Sequence, residues 1–170
     1  MTPHDLLIPT WSNMLGALSG MTDKAVSHEK GDTLLAEKLA EDMLPLSTQY
    51  RFVTNLPGEG LARLAGLDFT SKDDDPATFA EAKQRIGETL ALLETVKPGD
   101  FIDADEKFDM TLPIGMTFHL SAQEYARDWA LPNFYFHIST AYAIMRMNGV
   151  GLGKADLVPH MGAYVKAAGK

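Results

Sequence analysis

The chain lacks cysteine altogether, and it is short of positive charge. Without cysteine there can be no disulfide, no thiolate nucleophile and no zinc site built on thiolates. Its 15 lysine and arginine residues stand against 23 aspartate and glutamate residues, which gives a formal net charge of −8. Nucleic-acid binders need a basic surface, because phosphate contacts dominate their affinity. We therefore predict no nucleic-acid partner.

Long apolar runs are also missing. No run approaches the roughly 20 residues that a membrane-spanning helix needs, and the first residues show no basic segment followed by an apolar core. No serine lies in a nucleophile elbow, and no glycine-rich phosphate loop follows a strand. We expect no membrane span and no signal peptide, and the sequence predicts a cytoplasmic protein.

What the sequence does contain is a set of amphipathic helical segments. Apolar residues recur at three- and four-residue steps over 11–25, 35–53 and 79–96, and again in the last third of the chain. At 170 residues the chain is long enough for one domain with a proper core. We place that domain at residues 1–157 and a C-terminal tail at 158–170.

Proline and glycine interrupt the second segment. Pro45 predicts a bend there, and the stretch "NLPGEG" from Asn55 to Gly60 predicts a break or a kink. Before the last helix, apolar and polar residues alternate over 107–120, which is typical of a hairpin with its turn at 113–115. The predicted fold is all-α, a four-helix bundle with a small β-hairpin inserted before the last helix.

A histidine, His137, lies on a polar strip of the last helix. On a helical wheel Asn133 and Thr140 share its face, and Trp129 lies at its edge if the helix continues through Pro132. Asp42 and Gln49 of the second segment are seven positions apart, so they also share one helical face and could meet this strip. The candidate ligand-binding residues are therefore Asp42, Gln49, Trp129, Asn133, His137 and Thr140.

Three roles are open for this polar cluster. It could be a buried hydrogen-bond network that fixes the helix register, a pocket for a small molecule, or part of a metal site. A metal usually needs three nitrogen or carboxylate ligands, but the residue one turn before His137 is Asn133, whose amide oxygen is a poor ligand for borderline metals. We predict no metal and no other cofactor. If the chain is an enzyme, His137 is the candidate general base, because the usual imidazole pKa is near neutrality.

Three stretches resemble a known family. "LAEDMLPLSTQYRF", "RLAG" and "LPNFYFHISTAY" are similar to a bacterial family of unknown function within the DinB/YfiT-like superfamily, and the resemblance extends from about Leu7 to Leu157. The superfamily implies a four-helix bundle, frequent homodimers and often a divalent metal held by three histidines. Its known members include metal-dependent thiol transferases that use bacillithiol, mycothiol or glutathione.

The resemblance can be carried over position by position. His137 matches the second histidine of the pair on the last helix, Asn133 stands in the place of the first, and Gln49 is the nearest candidate for the histidine of the second helix. The resemblance therefore implies a degraded metal site. We expect a homodimer that binds a small molecule between the second and last helices. The alternatives are a thiol transferase-like enzyme dependent on a divalent metal, and a structural, dimeric interaction protein.

Overall fold

A computed structural model gives the fold of residues 1–166. The end of the predicted tail, 167–170, lies outside these described residues. In chain order the helices are α1 (Pro3–Val26), α2 (Leu46–Ala65), α3 (Phe79–Thr95), α4 (Ala122–Glu124), α5 (Leu131–Met147) and α6 (Lys154–Leu157). Two antiparallel strands, β1 (Lys107–Thr111) and β2 (Thr117–Ser121), lie between α3 and α4. The fold is thus mainly helical with one small hairpin, as predicted, and short helical pieces join the four long helices.

Helix α1 begins at Pro3, directly after its N-cap residue Thr2. The Thr2 hydroxyl accepts the N–H of Asp5, and the Asp5 carboxylate accepts the N–H of Thr2, each at 3.1 Å. This reciprocal pair satisfies two N–H groups that the helix cannot satisfy itself. Pro9 lies inside α1, past its first turn.

Helix α2 differs from the prediction at its beginning. It begins at Leu46, directly after Pro45, whereas the apolar periodicity had placed its start near Leu35. Leu35 instead belongs to a 3₁₀ helix, Gly31–Ala36, and the residues between the two helices are irregular. Pro45 therefore precedes the helix and does not bend it, because proline is well tolerated where the first N–H groups have no helical acceptor.

The predicted break at 55–60 is also wrong, because α2 runs through Pro57 to Ala65. The glycines of this stretch allow close packing. A Cβ atom at Gly60 would lie 2.7 Å from the indole of Trp11, and one at Gly58 would overlap the ring of Phe69. Tertiary contacts thus explain glycines that look, in the sequence, like the end of a helix.

The hairpin leads into the last helical region. The Ser121 hydroxyl caps α4, and a π-helical segment, Tyr125–Ala130, joins α4 to α5. In that segment the N–H of Leu131 donates to the carbonyl of Ala126, five residues earlier. Pro132 has no N–H to donate, and the wider π turn before it lets the helix continue past the proline. The last helical region therefore has no break at Pro132.

The core lies between the long helices. Helix α2 packs against both α3 and α5, and α1 also contacts these two helices. Trp11, Tyr50 and Phe134 are among the large side chains that are fully buried there. On α5, Tyr135 and Phe136 are partly exposed, and the homodimer stays a prediction. Over residues 1–166, every helix is too short or too polar to cross a bilayer.

Replacing Gly58 by alanine tests how Phe69 packs on α2. Because the new methyl group would overlap the aromatic ring, we expect Gly58→Ala to lower the free energy of unfolding by about 1–3 kcal/mol. Gly87→Ala in α3 is the matched control: its methyl meets open space, so it should raise the free energy by about 0.5–1 kcal/mol. Urea unfolding measures both, and equal stability of the two variants would contradict this packing.

Candidate functional site

A cleft of about 710 Å³ opens between α2 and α5. Helix α2 contributes five residues at helical spacing: Phe52, Leu56, Glu59, Ala62 and Arg63. The far wall is formed by Trp129, Asn133 and His137. The segment after α2 and the turn of the hairpin close the sides with Phe69, Ser71, Thr111, Leu112 and Pro113.

A hydrogen bond between His137 and Gln49 connects the two helices beside this cleft. Nδ1 of His137 lies 2.8 Å from Oε1 of Gln49. Gln49 is only 1% exposed, and its Nε2 donates to the backbone carbonyl of Leu44 at 3.0 Å. The predicted convergence of Gln49 and His137 is therefore present in the structure.

This chain of bonds determines where the imidazole carries its proton. A backbone carbonyl can only accept, so the amide nitrogen of Gln49 must face Leu44 and its oxygen must face His137. Nδ1 of a neutral ring must then donate, which leaves Nε2 as a bare acceptor. Within the described residues Nε2 has no protein partner, and it is not sealed from solvent.

Burial and aromatic packing keep the His137 ring neutral. Phe52 stacks on it with ring centroids 4.5 Å apart, and Phe136 packs edge-on at 5.1 Å. Loss of hydration lowers the pKa of His137 from 6.5 to about 4. At neutral pH the ring is thus a hydrogen-bond acceptor, and it is a weaker base than the general base that the sequence suggested.

Asn133 lies one turn before His137 and has a similar arrangement. Its Nδ2 donates to the backbone carbonyl of Trp129 at 2.7 Å. The amide oxygen Oδ1 is therefore the atom left for a ligand. Trp129 itself lies in the π-helical segment, and its indole packs against Phe118 of the hairpin with centroids 5.7 Å apart.

Three of the candidate residues do not line the cleft: Gln49, which bonds to His137, and two residues that lie elsewhere. Asp42 is exposed in the irregular segment before α2 and does not line the cleft, because α2 begins only at Leu46. Thr140 is buried, and its hydroxyl donates to the carbonyl of Phe136 at 2.7 Å. Neither residue contributes a group to the cleft.

Sequence reasoning missed the α2 wall of the cleft. Phe52, Leu56, Glu59 and Arg63 follow the spacing of one helical face, but the break predicted at Asn55–Gly60 interrupted that face. Glu59 accepts the Ser71 hydroxyl at 2.7 Å, while Arg63 donates to the backbone carbonyl of Glu59 at 2.9 Å. The cleft therefore has one carboxylate and one guanidinium on the same helix.

The side chains at this site do not fit a divalent transition metal. Over residues 1–166 there is no group of three or more histidine or acidic side chains close enough to hold an ion. The position one turn before His137 offers an amide oxygen, and Gln49 offers a second that already accepts from the imidazole. Two amides and one imidazole are a weak donor set where three nitrogen or carboxylate ligands are usual.

Comparisons with known proteins agree with the fold. A family model described as "Domain of unknown function (DUF1993)" matches residues 4–158. A crystal structure of a DinB family member protein from Shewanella denitrificans is similar, with a TM-score of 0.80 and 36% sequence identity. That similarity covers 91% of this chain and 90% of the other. No curated protein matches the sequence.

Titration of His137 gives a pH-dependent prediction. Because the pKa is about 4 in the folded protein and about 6.5 in the unfolded chain, the stabilisation by the neutral ring is complete above pH 6.5. It is lost as the pH falls from 6.5 through 4. His137→Gln removes the titrating group and keeps an amide donor. We expect this variant to lose less stability between pH 7 and pH 4 than the wild type, by up to about 3 kcal/mol.

Urea unfolding at a series of pH values measures this difference. His119→Gln is the control, because His119 is exposed on the hairpin and does not line the cleft. A direct check is the NMR titration of the imidazole, which should also report the Nδ1–H form. A midpoint for His137 near 6.5 would contradict the lowered pKa and the loss of hydration that causes it.

Proposed function

Because this chain belongs to the DUF1993 family, within the DinB-like superfamily, we propose that it binds a small organic molecule in the cleft between α2 and α5 without the help of a metal. The four long helices are proposed to form the bundle typical of that superfamily. The predicted resemblance to the superfamily is confirmed by the family match and by the similar structure. The ligand-binding role is our inference from the geometry of the cleft.

One observation carries the proposal. Helix α5 directs two polar residues to the cleft, and each retains an acceptor atom without a protein partner among the described residues: Nε2 of His137 and Oδ1 of Asn133. A network that served only to fix helix register would gain most by using all its polar atoms internally. Polar atoms that face a cleft with aromatic and aliphatic walls are instead typical of ligand sites.

The same geometry favours binding over general-base catalysis. With its pKa at about 4, the His137 imidazole is a poor proton acceptor near neutral pH, where an efficient general base has a pKa close to the working pH. The thiol transferase alternative depends on a metal that the donor set does not fit. We therefore assign His137 and Asn133 to ligand orientation.

A thermal-shift screen against a metabolite library tests the binding role. Hits are then titrated by calorimetry against two variants of matched chemistry, Asn133→Leu and Asn148→Leu. Each asparagine donates from Nδ2 to the carbonyl four residues earlier, at 2.7 Å and 2.9 Å, but only Asn133 lines the cleft.

We expect Asn133→Leu to raise the dissociation constant at least tenfold, which is about 1.4 kcal/mol of binding free energy. Asn148→Leu should leave the dissociation constant unchanged. If every hit binds the Asn133 variant as tightly as the wild type, the cleft is not the binding site.

A second experiment tests the proposal that the superfamily metal site is degraded. We expect zinc or nickel to leave the wild-type melting temperature unchanged. The double variant Gln49→His/Asn133→His should bind about one ion and melt higher in its presence, because binding to the native state alone stabilises it. Elemental analysis counts the ion, and a chelator should reverse the shift.

Asn148→His is the control for a histidine added outside the cleft. Stoichiometric metal on the wild-type protein would overturn the metal-free proposal.

A further inference from the structure

The acceptor atoms of α5 also indicate the chemical class of the ligand, an inference that rests on the proposed function. Nε2 of His137 and Oδ1 of Asn133 both have lone pairs and no hydrogen at neutral pH. The two residues are four positions apart, so they lie one above the other on the same helical face. A ligand head that reached both would meet two acceptors.

Flipping the side-chain amides would not convert these acceptors into donors. The amide nitrogen of Asn133 faces the carbonyl of Trp129, and that of Gln49 faces the carbonyl of Leu44. Turning either amide would place two oxygens in contact, each able only to accept. The backbone of the protein thus determines that the cleft presents acceptors here.

The α2 wall adds a further acceptor, and its one cation packs over an aromatic ring. One carboxylate oxygen of Glu59 accepts the Ser71 hydroxyl, which leaves the other oxygen available. The guanidinium of Arg63 lies over the ring of Tyr125, 5.9 Å from its centroid, and donates to the backbone carbonyl of Glu59. A cation over an aromatic face is already stabilised by the ring electrons.

The remaining walls suit a flat or branched apolar body. Phe52 and Leu56 lie on the α2 side, and the indole of Trp129 lies on the other. Aromatic faces of this kind favour stacking on a planar ligand. Polar recognition and apolar packing are therefore offered by different parts of the same cleft.

We propose that the cleft takes a small molecule with an aromatic or apolar body and a head rich in hydrogen-bond donors, such as an amidinium, a primary amide or an ammonium group. The head donates to Oδ1 of Asn133 and Nε2 of His137. At these two atoms a carboxylate head would place its own lone pairs against acceptors, and it would lose hydration without gaining a hydrogen bond from either residue.

Three probes with the same ring separate these cases: benzamidine, benzamide and benzoate. Calorimetry at pH 7.5 gives their dissociation constants, and NMR shift changes locate them on the protein. We expect benzamide and benzamidine to bind in the cleft at least tenfold more tightly than benzoate. Because the chain has a net charge of −8, benzamidine could gain from charge alone, so the neutral benzamide decides the comparison.

Variants then link the preference to the named atoms. Asn133→Leu removes one acceptor and should bring benzamide to within about threefold of benzoate, whereas Asn148→Leu should preserve the full difference. Benzoate binding as tightly as benzamide, or a preference that survives Asn133→Leu, overturns the donor assignment. So does the failure of both donor probes to bind.

The proposed function is decided separately by the library screen. If hits bind in the cleft through heads that only accept hydrogen bonds, the proposed binding function stands and the preference for donor-rich heads is wrong.

Discussion

The hydrogen bond from His137 to Gln49 is the constraint on which the site depends. It joins α5 to α2 at a point where Gln49 is almost completely buried. If it were lost, the buried amide oxygen of Gln49 would be left without a partner, at a cost of about 1–3 kcal/mol. The bond also orients the imidazole, assigns its proton to Nδ1 and frees Nε2. Helix packing and the chemistry of the cleft therefore follow from one contact.

Sequence periodicity predicted the helices and strands that bury one face, because the buried residues then recur with the period of the element. The repeat of apolar residues located α1, α3 and the last helix, because each helix buries one face. The alternation around Met110 and Phe118 located the hairpin, because alternate residues of a strand face opposite sides. The polar strip with Asn133 and His137 followed from the same reasoning. Gln49 was a candidate from the face that it shares with Asp42 in the second segment, and the resemblance to the DinB-like superfamily also pointed to it; the sequence alone does not show that the two helices face each other.

The errors have a common physical cause in local rules applied to proline and glycine. These rules state how much proline or glycine destabilises an isolated helix. They do not include the stabilisation that tertiary packing provides at the same position. Gly60 lets the indole of Trp11 approach, and Gly58 does the same for Phe69, so α2 continues where its sequence predicts an end. The mistaken break hid the wall formed by Glu59 and Arg63. The mistaken start of α2 placed Asp42 on the face of that helix, but Asp42 lies before the helix begins.

Two roles are possible for the polar residues: a hydrogen-bond network that fixes helix register, or a binding pocket. The acceptor atoms that have no protein partner distinguish the two roles. Both roles need the bond between Gln49 and His137, so that bond alone does not distinguish them. A network for register would end on protein groups, as the Thr140 hydroxyl does on the carbonyl of Phe136. The chain of bonds from Leu44 through Gln49 ends instead on Nε2, at the edge of a cleft of about 710 Å³. Because Asn133 ends in the same way one turn earlier, we infer that both residues serve a ligand, and that fixing the register is how the helices hold them in position.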